Sequence, residues 1–233
     1  MTQSQIRSET GPPPIITSAF RAPAWLLVAT LPAYVAFLVL SVSTLAPKVE
    51  FSSAELSPAE IGAMGLGWMA LAITWMMPVV LAAAALVLLS RRLPSGGPLR
   101  IVPVLGGFAA LLAMVHVMVN LLAPAAESPT WGDSPLFTAS MLSSLLAGWI
   151  GVHPATLIVL WALVQAGIAK RTAIVVGVIY ALYWAFELLV YLPVLLSPEG
   201  LSAETVGLPP FLLGILWAAV GGALLRARVA SDP

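Results

Sequence analysis

Apolar residues fill this chain in long blocks, and polar residues punctuate them at intervals close to one membrane thickness. Crossing the hydrocarbon of a bilayer as a helix takes about 20 predominantly apolar residues. Six blocks meet that length, at roughly 24–46, 62–89, 101–123, 147–168, 173–196 and 209–225. The pattern predicts an all-α integral membrane protein, a six-transmembrane-helix bundle occupying residues 23–228. A tail at 1–22, with GPPP at 11–14 and no apolar period, reads as flexible, and 229–233 reads as a second short tail. The first apolar block is too long for the core of a signal peptide and is expected to be a retained helix.

Shorter patterns refine the map. Ser57-Pro58-Ala59-Glu60 has the N-cap, first-turn proline and third-position glutamate of a capping box, so the second helix is expected to start outside the bilayer and enter already wound. PLFTASMLSSLL, at 135–146, is amphipathic and predicts a short external interfacial or re-entrant helix before the fourth span, with a break around Gly148 to Pro154. Gly214, Ala218 and Gly222 recur every four residues in the sixth block, a small-residue stripe expected to admit a neighbouring helix of the bundle. Trp25, Trp131 and Trp149 fall near the predicted water boundaries and read as interfacial anchors.

Charge gives the orientation. Arg7 and Arg21, then Arg91, Arg92 and Arg100, then Lys170 and Arg171, then Arg226 and Arg228 all fall on one side of a six-span map. The opposite side holds Lys48 together with Glu50, Glu55, Glu60, Glu127, Asp133, Glu199 and Glu204. Positively charged segments stay inside, so both termini are predicted to be cytoplasmic.

Composition agrees and narrows the function classes. The chain is 60% hydrophobic and 9% charged, with mean hydropathy +1.01, far from the roughly 25% charged content of soluble domains. Ten basic residues balance ten acidic ones, which offers no basic surface to nucleic acid, so the expected partners are the lipid bilayer and a small-molecule or proton substrate. The absence of cysteine excludes disulfides, thiolate metal sites and thiol nucleophiles. An arginine-biased, alanine-, leucine-, glycine- and proline-rich composition reads as bacterial, placing the protein as a multi-pass component of a bacterial cytoplasmic membrane.

The candidate chemistry centres on Glu187, the sole acidic residue inside a predicted span, in YALYWAFELLVYLP at 180–193. Tyr180, Tyr183, Glu187 and Tyr191 are spaced 3, 4 and 4 apart, which lays them along one stripe of a helix. At about 1.5 Å per residue, Glu187 and His116 lie roughly 21 and 22 Å from the cytoplasmic ends of their helices, with His153 at about 25 Å and Asn120 at about 28 Å. The two histidines and the one buried acid thus share a slab of the membrane, in a pocket expected between the third, fourth and fifth spans and opening outward.

Three readings follow. Glu187, His116, His153, Asn120, Tyr183 and Tyr191 could form a site that binds or translocates a proton or small solute, as in a transporter, because intramembrane ionisable groups commonly mark a pathway. His116, His153 and Glu187 could instead ligate zinc in a membrane-embedded metalloenzyme. Or Glu187 could be packing glue in a structural or accessory subunit of a membrane complex. No HExxH pair or GxSxG elbow is present, so no cofactor is expected and no catalytic reaction is assigned. Ser140, Ser143 and Ser144 read as helix-flank residues, and Met76, Met77, Met114 and Met118 as packing filler.

Overall fold

The backbone follows the apolar blocks, and proline and glycine decide where they are interrupted. The computed structural model describes residues 20–45, 53–94, 96–196 and 211–227. Residues 1–19 of the tail predicted at 1–22, the tail at 229–233, and the loop residues Lys48, Glu50, Glu199 and Glu204 lie outside the described residues, while 20–22 are already helical. The helices are α1 (Arg21–Leu45), α2 (Pro58–Met64), α3 (Leu66–Ser90), α4 (Val102–Leu121), α5 (Pro135–Leu146), α6 (His153–Gln165), α7 (Lys170–Leu196) and α8 (Phe211–Arg226). Among the described residues there is no strand.

Five helical runs are long and apolar enough to cross a membrane: Arg21–Leu45, Leu66–Ser90, Gly97–Leu121, Pro135–Gln165 and Lys170–Pro193. Their lipid-compatible outer faces carry large apolar side chains such as Val104, Leu182 and Leu189, as expected where no water competes for the surface. The sixth predicted block appears as α8, 16 residues long, or about 24 Å. It is therefore shorter than the other five, although it packs along α1 in the core.

Three expectations are corrected. The capping box forms as predicted, with the Ser57 hydroxyl accepting from the Glu60 amide and the Glu60 carboxylate accepting from the Ser57 amide. The helix it starts does not run on as the second span, however. It ends after seven residues, and Gly65, at φ 51°, turns the chain into α3. That left-handed φ is one that glycine adopts without a Cβ penalty.

The second correction concerns 135–146, which is not a detached external helix. It continues through a π-helical turn at Ala147–Val152 into α6, making one run of 31 residues. The His153 amide donates to the Gly148 carbonyl, five residues back. Pro154 has no N–H and would crowd the carbonyl four residues before it, so a widened turn replaces the expected break.

Third, Trp131 and Trp149 are not interfacial anchors. Trp131 is buried against Trp68 and Phe137 in a small core. The Trp131 amide donates to the Leu56 carbonyl and the Gly132 amide to the Ala54 carbonyl, tying the two acidic-end loops together. Trp149 is buried on the π turn, whereas Trp25, 60% exposed, remains free to meet lipid or its interface.

The α1–α8 pair explains the small-residue stripe and amends it. A Cβ on Gly214 would lie 2.5 Å from the Tyr34 ring, and one on Gly221 would lie 2.5 Å from the Ala24 carbonyl oxygen. The antiparallel helices thus approach through Gly214 and Gly221, while Gly222 faces open space. The two glycines in close contact are seven residues apart, and Gly222 falls out of the predicted stripe. Thr30, buried in this seam, donates to the Leu27 carbonyl at 2.6 Å.

Candidate functional site

His153 is the first residue of α6, so the π turn determines where its ring points. A π turn accommodates one residue more than an α turn, which rotates everything after it by about 100° relative to an uninterrupted helix. The ring is nearly enclosed. Its Nε2 lies 3.0 Å from Glu187 Oε2 on α7, and its Nδ1 lies 2.8 Å from the Tyr180 hydroxyl two turns earlier on the same helix. Tyr180, Tyr183 and Trp184 surround its faces with ring centroids 5.3 to 6.3 Å away. Gly148 gives the imidazole its room, since a Cβ there would sit 3.2 Å from Nε2.

The hydrogen bonds continue inward. The Trp217 indole N–H on α8 donates to Thr156 Oγ1 at 3.3 Å, and the Thr156 hydroxyl donates to the Val152 carbonyl at 2.8 Å. Tyr180 Oη lies 3.4 Å from Thr156 Oγ1. Because the single Thr156 proton is committed to Val152, the Tyr180 proton has two acceptors, His153 Nδ1 at 2.8 Å or Thr156 at 3.4 Å. With Tyr180 donating to Nδ1, the neutral ring carries its proton on Nε2 and donates to Glu187.

Glu187 and His153 form part of the wall of a cavity of ≈ 250 Å³. The Glu187 side chain is 13% exposed against 3% for His153, so the carboxylate is the partner that reaches open space. Residues of α1, α3, α5, the π turn, α6, α7 and α8 line the cavity. Helix α4 contributes none, which corrects the expected pocket between the third, fourth and fifth spans. Tyr191 lines it beside Trp149, their ring centroids 5.9 Å apart. The Tyr183 hydroxyl is close enough to interact electrostatically with Glu187, yet it forms no hydrogen bond of good geometry. Trp149 Nε1 and Trp184 Nε1 are likewise buried with no hydrogen-bond partner among the described residues.

His116 and Asn120 belong to a second centre. His116 Nδ1 lies 3.0 Å from the Ser140 carbonyl and 3.2 Å from its hydroxyl. Asn120 Nδ2 donates to Ser140 Oγ at 2.7 Å and to the His116 carbonyl at 2.8 Å, and the Trp68 indole donates to the Asn120 carbonyl. This centre joins α3, α4 and α5. Neither His116 nor Asn120 lines the cavity. Among the described residues no three His, Cys, Asp or Glu side chains gather as a group that could hold a metal. His116 is bonded to Ser140, whereas His153 is bonded to Glu187, so the two histidines have separate partners.

Several participants escaped the sequence reading. Tyr34 on α1 lies within electrostatic reach of Glu187, so all four tyrosines of the chain gather around that carboxylate. Thr156, Trp217 and Gly148 complete the surroundings. The available signal was the mid-span placement of Tyr34, Thr156 and Trp217, each a hydrogen-bonding residue inside an apolar block. Of the four methionines read as filler, Met76 lines the cavity, as does Met141, while Met77, Met114 and Met118 are exposed on the apolar outer surface. Comparison with protein-family models, with curated proteins and with solved structures finds no match for this chain.

Proposed function

We propose that this protein binds, and passes across a bacterial cytoplasmic membrane, a small solute or proton, using the His153–Glu187 pair as its ionisable centre. The observation that carries the reading is the opening of that pair onto a ≈ 250 Å³ cavity. A carboxylate serving only as packing glue would be closed in by partners, whereas this one keeps an open face. The unpaired Trp149 indole at the wall is a further donor that a bound molecule can satisfy.

In this reading α8 is the sixth crossing, supported by its close antiparallel seam with α1. Both termini are cytoplasmic, and the cavity opens toward the outer, acidic-loop side. Tyr180 holds the His153 ring through Nδ1, and Tyr191 orients the solute. His116 and Asn120 serve the architecture.

The test uses a small carbodiimide on membranes at mildly acidic pH, with adducts mapped by peptide mass spectrometry. Glu187 is expected to be modified, since the reagent must reach the carboxyl through the cavity. An unmodified Glu187 in a protein whose loop acid Glu127 reacts would support the packing role instead.

A further inference from the structure

The cavity's lining specifies a class of ligand. Five aromatic rings, those of Tyr34, Trp75, Trp149, Tyr191 and Trp217, share its wall with the carboxylate of Glu187. No lysine or arginine is among its lining residues, and the one basic side chain there is His153. His153 Nε2 lies 3.0 Å from Glu187 Oε2. With a neutral imidazole and an ionised carboxylate, the site carries one net negative charge in an apolar, aromatic enclosure.

Ring faces are electron-rich and attract cations, most strongly where water is excluded. A carboxylate adds the counter-charge, and the apolar remainder of the wall, with Met76, Val79 and Leu213, suits hydrocarbon substituents. Hard metal ions favour sites with several carboxylate or carbonyl ligands, and Glu187 is the one carboxylate in this lining. An anion would meet the Glu187 charge. We infer that the cavity is an aromatic cage for a small organic cation, a quaternary or protonated alkylammonium, with Glu187 as its counter-ion. This rests on the proposed reading of the cavity as a solute site and names its substrate class.

The chain has no cysteine, so a single Ser144→Cys, a near-isosteric change on the α5 side of the cavity, gives a clean reporter. Its labelling in native membranes is followed with two thiosulfonate reagents of similar size, one bearing trimethylammonium and one bearing sulfonate. Each rate is divided by that reagent's rate with free mercaptoethanol. The cationic reagent is expected to be favoured by at least about tenfold, the scale of a desolvated cation–π and ion-pair contact. Glu187→Gln should remove most of that preference, and Glu187→Asp should retain it. A preference near unity, or one for the sulfonate, overturns the cation assignment while leaving the cavity's access to solutes intact. No reaction with either reagent, in protein whose cysteine reacts once unfolded, overturns both the assignment and the solute-site reading beneath it.

Discussion

The two histidines of this chain lie at similar depth and make similar numbers of hydrogen bonds, but they sit in opposite kinds of surroundings. His116 is bonded to the Ser140 backbone and hydroxyl, in a closed group completed by Asn120 and Trp68. Its Nδ1–H has a carbonyl to donate to, so the bond ties α4 to α5 without involving a charge. His153 stands between a carboxylate and a phenol whose proton has two possible acceptors, and its carboxylate partner borders a cavity. The difference teaches that a buried polar residue in a membrane bundle is read from its partners' charge and from the space beside it. Depth alone does not distinguish the two centres.

Breaking each centre in turn should separate function from stability. The largest effect is expected from Glu187→Gln. Glutamine still accepts from His153 Nε2, so thermal unfolding in detergent should change by less than about 1 kcal/mol. Charge selectivity at the cavity should nevertheless fall about tenfold or more. His116→Leu should do the reverse, costing about 1–2 kcal/mol of stability through the lost Ser140 bond with cavity selectivity unchanged. Thr156→Val preserves shape but leaves the Trp217 indole without its acceptor, a cost of about 1 kcal/mol visible as a lowered unfolding temperature. The smallest effect is expected from Gly148→Ala, whose methyl would press on His153 Nε2 from 3.2 Å. Displacing the ring from Glu187 should lower selectivity a few-fold and stability by no more than about 1 kcal/mol.

Much of the architecture is legible in the sequence because bilayers demand long apolar runs and helices demand caps. The C-terminal end of α3, the extent of α7, the Ser57 capping box and the Tyr180–Tyr183–Glu187–Tyr191 stripe all follow from period and local chemistry. The site was legible by halves. His153 and Glu187 do meet, while His116 does not join them, because helix order in space is absent from a linear pattern. The π turn was foreseen only as a break near Gly148 to Pro154. A proline that interrupts the α hydrogen-bond ladder can be met by a kink, a break or a widened turn, and packing selects among them. Gly151 illustrates that selection. A Cβ there would lie 2.6 Å from the Ala109 Cβ, so α4 closes directly on the π turn and holds it in the bundle.

The contrast between the two centres can be tested on a single helix. Ser140 and Ser144 lie one turn apart on α5, the first bonded to His116 and Asn120, the second on the cavity wall. The most direct measurement is the rate at which Ser140→Cys and Ser144→Cys, each in the otherwise cysteine-free chain, react with a small water-soluble thiosulfonate in native membranes. The Ser144→Cys protein is expected to react at least about tenfold faster, as a cavity open to water on one side of the helix and a dry hydrogen-bonded seam on the other require. Equal rates, or faster reaction at Ser140→Cys, would contradict the assignment of His153 and Glu187 as the open, functional centre and His116 as the closed, structural one.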